Sequence, residues 1–372
     1  MGVAWLNGGS TMGNPSGSLA QATEWQDYNY NVDYGTHDWV ADFALDVIGP
    51  SSVITGVYQK WFDSSGVYFW SEVNKIKFFL GTRAADRSEV RYMTRHGQWI
   101  RGEGDAAHHH IRFNPDTHEV TYDYLAKKAD LMARAAIYAL QDGDCGTAAF
   151  FLGQMAHYIT DASCFYHVAP STSMGVSSYA SHLELRVLDR TCGRSWGSTS
   201  FNRAHRQTVF RILPETYVYV YPPFSFLSPG KLAIEMAYNT FFGGSPYYGE
   251  GLYNYDWMNT VFKDDFYEKS TFWPIDQSWL SWSGPYPTQY LFILRLEESL
   301  NKAITFVASA LNWVISQVPS FTCKSGPGDP PDEYFRRLAT DFLLQGAFKA
   351  IAFIGIYASI YSVSVTSSKI LK

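Results

Sequence analysis

Residues 147–161 read as a buried helix, and two of them carry chemistry: in the run Phe150-Phe151-Leu152-Gly153-Gln154-Met155-Ala156-His157-Tyr158-Ile159-Thr160-Asp161, His157 and Asp161 stand four apart. That spacing projects both from one helical face. An imidazole and a carboxylate on an apolar helix are costly to bury unless something binds them. His167 follows Asp161 by six positions, and His182 and Glu184 come after a Ser/Gly-rich loop. Three histidines and an acid within twenty-six positions, in a chain with ten histidines, make a nitrogen and oxygen donor set for a divalent cation, zinc first. Alone, the His157/Asp161 pair reads more readily as an ordinary i,i+4 helix pair. The neighbouring histidines favour the metal.

Several elements must bring these donors together. A helix opens near Tyr34-Gly35-Thr36-His37-Asp38-Trp39, with Thr36 expected as N-cap and His37 in the first turn. A second helix is expected over 69–80, ending at Gly81-Thr82-Arg83-Ala84-Ala85-Asp86, so that Asp86 lies at its end or in the loop beyond. Residues 87–120 are polar; within them His108-His109-His110 precedes Phe113-Asn114-Pro115-Asp116-Thr117, a short extended piece and a turn. An amphipathic helix over 126–141 and the turn Asp142-Gly143-Asp144 lead into the central helix. Another helix is expected after His182, to about Leu188.

From 208 to 284 the chain is dense in Tyr, Trp, Phe, Gly and Pro with few helical signals, apart from a short alternating stretch over 216–221. It reads as an irregular insertion that decorates the core. A long helix over 286–318 closes the bundle, and 319–331, with Ser325-Gly326-Pro327-Gly328-Asp329-Pro330-Pro331, reads as a linker. Beyond it, 332–372 is a hydrophobic helix whose stretch 350–366 carries no charge, the lower limit of length for a transmembrane anchor. Docking of that helix on this or another subunit is the alternative. The fold class is all-α, a multi-helix bundle over 1–318.

The net charge of -6, from 29 Lys and Arg against 35 Asp and Glu, offers no basic field for nucleic-acid phosphates. Aromatic content is the outlier: 26 Tyr, 25 Phe and 12 Trp suit contact with lipid headgroups or carbohydrate, or a large aromatic core. Four cysteines form no CxxC pair, and their even number permits two disulfides in an exported protein. Met1-Gly2-Val3-Ala4-Trp5 holds no complete signal peptide, although Gly2-Val3-Ala4 is similar to the end of a cleaved one.

Taken in order, these pieces over 1–318 resemble the zinc-dependent phospholipase C family, related to the P1/S1 nucleases. Thr36-His37-Asp38-Trp39 resembles the family's first metal histidine at a helix start. Gly81-Thr82-Arg83-Ala84-Ala85-Asp86 is similar to its Gly-x-x-Ala-Ala-Asp, and His110 with Asn114-Pro115-Asp116 to its histidine before an Asp-Pro-Asp turn, a slip to His109 or His108 being open. The central run with His157, Asp161 and His167 resembles the family's core signature, and His182 falls at its next ligand.

The resemblance implies up to three zinc ions held by His37, Asp86, His110, His157, Asp161, His167, His182 and Glu184, with Asp86 as the metal-linked catalytic base. It also departs from the family. Arg186 occupies the position four after His182 where a glutamate is expected, which strips the third metal of a ligand; Glu184 is a nearby acid. Phe165 replaces a proline before His167, and Trp25, close to the family's spacing from the first histidine, supplies the family's N-terminal ligands only if the chain is cleaved before it.

The implied activity is phospholipase C cleavage of a phospholipid, at an extracellular or cell-surface membrane. A P1/S1-like nuclease is disfavoured by the acidic balance and by the lack of a Gly-Gly-Asn sequence. A noncatalytic membrane-associated protein on the same scaffold is the third reading.

Overall fold

The computed structural model describes residues 35–50, 58–88, 90–104, 106–114, 116–168, 227–242 and 287–324, all within one compact unit, Met1–Gly326. The helices among them are α1 (Thr36–Ile48), α2 (Glu72–Ala84), α3 (Tyr124–Asp142), α4 (Cys145–Asp161), α5 (Phe165–Val168), α6 (Pro229–Phe242) and α7 (Pro287–Ser316). Two antiparallel hairpins lie between α2 and α3: β1 (Arg91–Met93) with β2 (Trp99–Arg101), and β3 (Arg112–Phe113) with β4 (Val120–Tyr122). The fold is all-α around these small hairpins.

Helix α4 is the axis of the bundle. All 17 of its residues are buried, and α1, α2, α3, α6 and α7 pack around it. Its start follows from the turn before it: Gly143 takes φ 81° to end α3, and the Asp144 side chain then accepts from Thr147 N–H at 3.0 Å as N-cap. Phe150, Leu152, Met155, Tyr158 and Ile159 are fully buried, each side chain contributing on the order of 2 kcal/mol of apolar burial.

Where α2 crosses α4, Gly81 faces Gly153. A Cβ on Gly81 would stand 2.0 Å from the Phe150 carbonyl oxygen, and one on Gly153 would stand 1.9 Å from that of Phe78. The glycines therefore let the two backbones touch. This corrects the expected end of α2: Gly81 lies inside the helix, which starts at Glu72 behind the Ser71 cap and runs to Ala84. Its lack of a side chain serves the crossing rather than a stop signal.

Three other expectations change. The N-cap of α1 is Gly35, not Thr36, because Asp38 reaches back to accept from Gly35 N–H at 3.0 Å. The insertion over 208–284 is not wholly irregular, since 229–242 forms α6, burying Leu232, Ala233, Met236, Ala237 and Phe241 at helical spacing. The polar stretch 87–120 contains strands. The Tyr92 ring, stacked 4.8 Å from Phe150, fixes the first hairpin on the bundle.

A disulfide joins Cys145, the first residue of α4, to Cys323 beyond α7. Around it, Phe321 is buried edge-on to Phe69, and Asp63 accepts from the Cys323 N–H at 3.1 Å. Residues 319–324, the start of the expected linker, thus lie against the bundle. Cys164 is buried, and Cys192 lies outside the described residues. So do the N-terminal arm, 169–226, 243–286 and the C-terminal segment with 350–366. Among the described residues no helix is long and apolar enough to cross a membrane.

Candidate metal centre

Four separate stretches deliver the polar side chains that meet at the C-terminal end of α4. His37 is the second residue of α1, where Asp38 fastens the helix start by accepting from Gly35 N–H and, at 2.6 Å, from the Thr82 hydroxyl on α2. Asp86 follows the end of α2. The chain returning from the first hairpin is pinned beside it, Glu103 N–H donating to Ala84 O at 2.8 Å and Gly104 N–H to Ala85 O at 3.1 Å. That return leads into the 3-10 turn Ala106–His109. His167 on α5 is tied to the same stretch, because Ile111 N–H donates to the His167 carbonyl at 3.0 Å.

Asp161 is at the centre. Its Oδ2 lies 2.6 Å from His109 Nδ1 and 3.1 Å from His157 Nε2, while its Oδ1 lies 3.4 Å from His37 Nε2 and 3.8 Å from His167 Nε2. Across the cluster, Asp86 Oδ1 is 3.4 Å from His157 Nε2 and 3.5 Å from His109 Nε2. His37 and His157 stack with ring centroids 3.7 Å apart. Among the described residues two overlapping donor groups result: His37, His157 and Asp161, and Asp86, His109 and His157.

The distances carry a chemical meaning. The 2.6 Å contact of His109 with Asp161 is a charge-assisted hydrogen bond. The separations between 3.4 and 3.8 Å are too long or misdirected for strong ones, but about 3.3 Å is the edge of a tetrahedron whose centre lies about 2.0 Å from nitrogen or oxygen ligands. Among the described residues, Asp161 Oδ1, both ring nitrogens of His37 and of His167, and His157 Nδ1 are buried without a hydrogen-bond partner. A buried carboxylate oxygen facing unbonded imidazole nitrogens is unfavourable unless a cation joins them. The donor set fits zinc.

Burial and the two carboxylates set the protonation of the cluster. Burial drives His37 well below its ordinary pKa, with the His157 charge adding to it, and brings His167 down to about 3, so both rings are neutral and offer lone pairs. Burial also opposes a charge on His157, but Asp161 and Asp86 outweigh it and raise its pKa to about 10. Burial would likewise raise Asp86, yet His157 and then His109 bring it to about 2; Asp161 is held well below the carboxylate range against its own burial, chiefly by His157 and His167.

Of the residues expected at the site, His37, Asp86, His157, Asp161 and His167 come together. His109, not His110, occupies the centre. His110 lies to one side, its ring 5.0 Å from that of His167 and its pKa lowered by burial and by Arg112. Nothing in a run of three histidines distinguishes their directions; the 3-10 turn does. His182, Glu184, Arg186 and Trp25 lie outside the described residues.

A supporting network escaped the sequence reading. Tyr158, whose ring is 5.2 Å from that of His109, donates at 2.8 Å to Glu103, which also pairs with Lys128 and, at 3.2 Å, with His108. The adjacency of Tyr158 to His157 is its one sequence signal.

No known protein family and no curated protein matches the sequence. Among solved structures, the chain is similar to "Alpha Toxin from Clostridium Absonum", with a TM-score of 0.41 and 13% identity over 78% of this chain and 65% of that one. It is also similar to the Clostridium perfringens alpha-toxin from an avian strain, with a TM-score of 0.38 and 14% identity over 76% and 64% of the two chains. The chain spans less than two thirds of the length of either toxin.

Proposed function

We propose that this chain is a metal-dependent phosphodiester hydrolase, and that its substrate is a phospholipid cleaved in the manner of a phospholipase C. The observation that carries the reading is Asp161, a fully buried carboxylate whose two oxygens face imidazoles from four separate places in the chain. Its Oδ1 lies nearer His37 and His167, and its Oδ2 nearer His109 and His157, which bridges the two donor groups. The order of motifs that resembles zinc-dependent phospholipases C supports the choice of substrate.

His37, His157 and Asp161 would hold one cation, and Asp86 and His109 would help to hold a second; zinc there supplies Lewis acidity toward a phosphoryl oxygen and acidifies water. The chain itself supplies position and charge. Asp86 is the more open carboxylate, 19% accessible where Asp161 is 0%. It stays ionised, and from the rim of the cluster it accepts a hydrogen bond from the attacking water and aims the oxygen at phosphorus. The new P–O bond forms from that water, the P–O bond to the glycerol oxygen breaks, and the proton lost by the water ends on the departing glycerol oxygen. Asp161 does not titrate in the reaction; it sets the spacing of the imidazoles.

The test is product analysis with zinc-loaded protein. Diacylglycerol and phosphocholine released from phosphatidylcholine support the reading. Full zinc content with no lipid cleavage, or cleavage of single-stranded DNA instead, overturns it.

A further inference from the structure

The β1–β2 hairpin has two unlike faces. Tyr92 is buried against Phe150, whereas Arg91, Met93, Trp99 and Arg101 are exposed, Met93 and Trp99 each 48% accessible. The register sets Met93 opposite Trp99 and Arg91 opposite Arg101. Because side chains alternate along a strand and cross-strand partners share a side, these four form one outward patch. It is apolar beside the turn and cationic at the stem.

Two features of this patch are unfavourable in water alone. Like charges directly opposite on paired strands repel. Among the described residues Arg83 and Arg95 are ion-paired, but Arg91 and Arg101 are joined to no carboxylate. Trp99 and Met93 also expose adjacent apolar surface. An anionic interface with an apolar interior relieves both at once: its phosphates lie between the guanidinium groups, and the indole and thioether enter at headgroup depth.

We propose that this face of the hairpin is a docking surface for an anionic phospholipid bilayer. Charge complementarity is local, since the whole chain is at -6, and two arginines against that balance are too few to hold a nucleic acid. The hairpin also springs from the segment that delivers site residues. Asp86 precedes it, His109 follows it, and its stem is closed by Gly102 N–H donating to Val90 O at 2.8 Å. A bilayer held by this hairpin is held by the stretch of chain that joins two donors of the cluster. The proposal concerns a surface, and it stands whether or not the cluster hydrolyses lipid.

The experiment is co-sedimentation of the full chain with phosphatidylcholine vesicles, with and without phosphatidylserine, alongside hydrolysis of a short-chain phosphatidylcholine dispersed as monomers. Wild type should bind the anionic vesicles more tightly. Arg91→Gln with Arg101→Gln should weaken that binding about 20-fold, as should high salt, while leaving hydrolysis of monomeric lipid unchanged. Trp99→Ala with Met93→Ala should weaken binding to both vesicle types about tenfold. Matching thermal midpoints establish that the variants fold.

Variants that bind as wild type does, or a wild type that binds neither vesicle but is retained by nucleic acid or by a protein partner, overturn the proposal. Vesicle binding by wild type that is lost in the hairpin variants, in a protein that cleaves no lipid, upholds the surface and defeats the hydrolase reading alone.

Discussion

Gly81 and Gly153 meet at the crossing of α2 and α4 so closely that a methyl on either would penetrate a main-chain carbonyl of the opposite helix. Gly153 lies one turn before His157, and Gly81 lies five residues before Asp86. The contact therefore sets how near Asp86 comes to the imidazole of His157, observed at 3.4 Å.

Substituting Gly153 with Ala should be severe, because neither backbone can yield locally. A loss of about 3 kcal/mol or more is expected in chemical denaturation, at the upper end of overpacking effects. Any folded fraction should bind zinc less tightly, as Asp86 is pushed from His157. A variant as stable as wild type would show that the helices are not held at this crossing.

The two carboxylates should separate by phenotype. Asp161→Asn should lower zinc content and activity together by more than about 100-fold, since even outer-shell partners of a metal are worth about 10- to 100-fold. Asp86→Asn should keep more zinc than activity, with a rate loss of about 100-fold or more for a lost water-orienting group. Zinc analysis by mass spectrometry beside a lipid-cleavage assay checks both.

The Cys145–Cys323 bridge closes a loop with a sequence separation of 178 and ties the start of α4 to the chain beyond α7. Replacing both cysteines by serine should cost about 2–5 kcal/mol of stability. Equal midpoints for wild type with and without reductant would contradict this.

Asp63 offers a pH test away from the cluster. Its carboxylate accepts from Ser65 N–H and Oγ, from Val67 N–H and from Cys323 N–H, and although burial opposes the charge these bonds hold its pKa below the ordinary value. A depressed folded-state pKa stabilises above the unfolded value and loses that contribution as pH falls through the folded one. Asp63→Asn should therefore lower the melting temperature at neutral pH, and the gap to wild type should narrow steadily below about pH 4. A gap that is constant with pH would assign the effect to packing.

What was legible in the sequence follows from periodicity and from donor spacing. Helices α1, α3, α4 and α7 were readable because apolar residues recur at helical spacing, and His157 with Asp161 because one helix carries both. Helix α6 was hidden: its pattern of Leu232, Met236 and Phe241 lies amid Tyr, Trp and Gly-rich sequence that reads as irregular. The first hairpin was hidden too, since two strands of three residues with one buried side chain between them leave almost no alternation. His110 and His109 could not be told apart in the sequence, as a tertiary hydrogen bond to Asp161, not local spacing, decides which imidazole of the run points inward.

The most direct test of the account is anomalous diffraction at the zinc edge from crystals of the zinc-loaded full chain. The account predicts a peak within coordination distance of the Asp161 carboxylate and of the rings of His37 and His157. No peak there, with zinc elsewhere or absent, would contradict it.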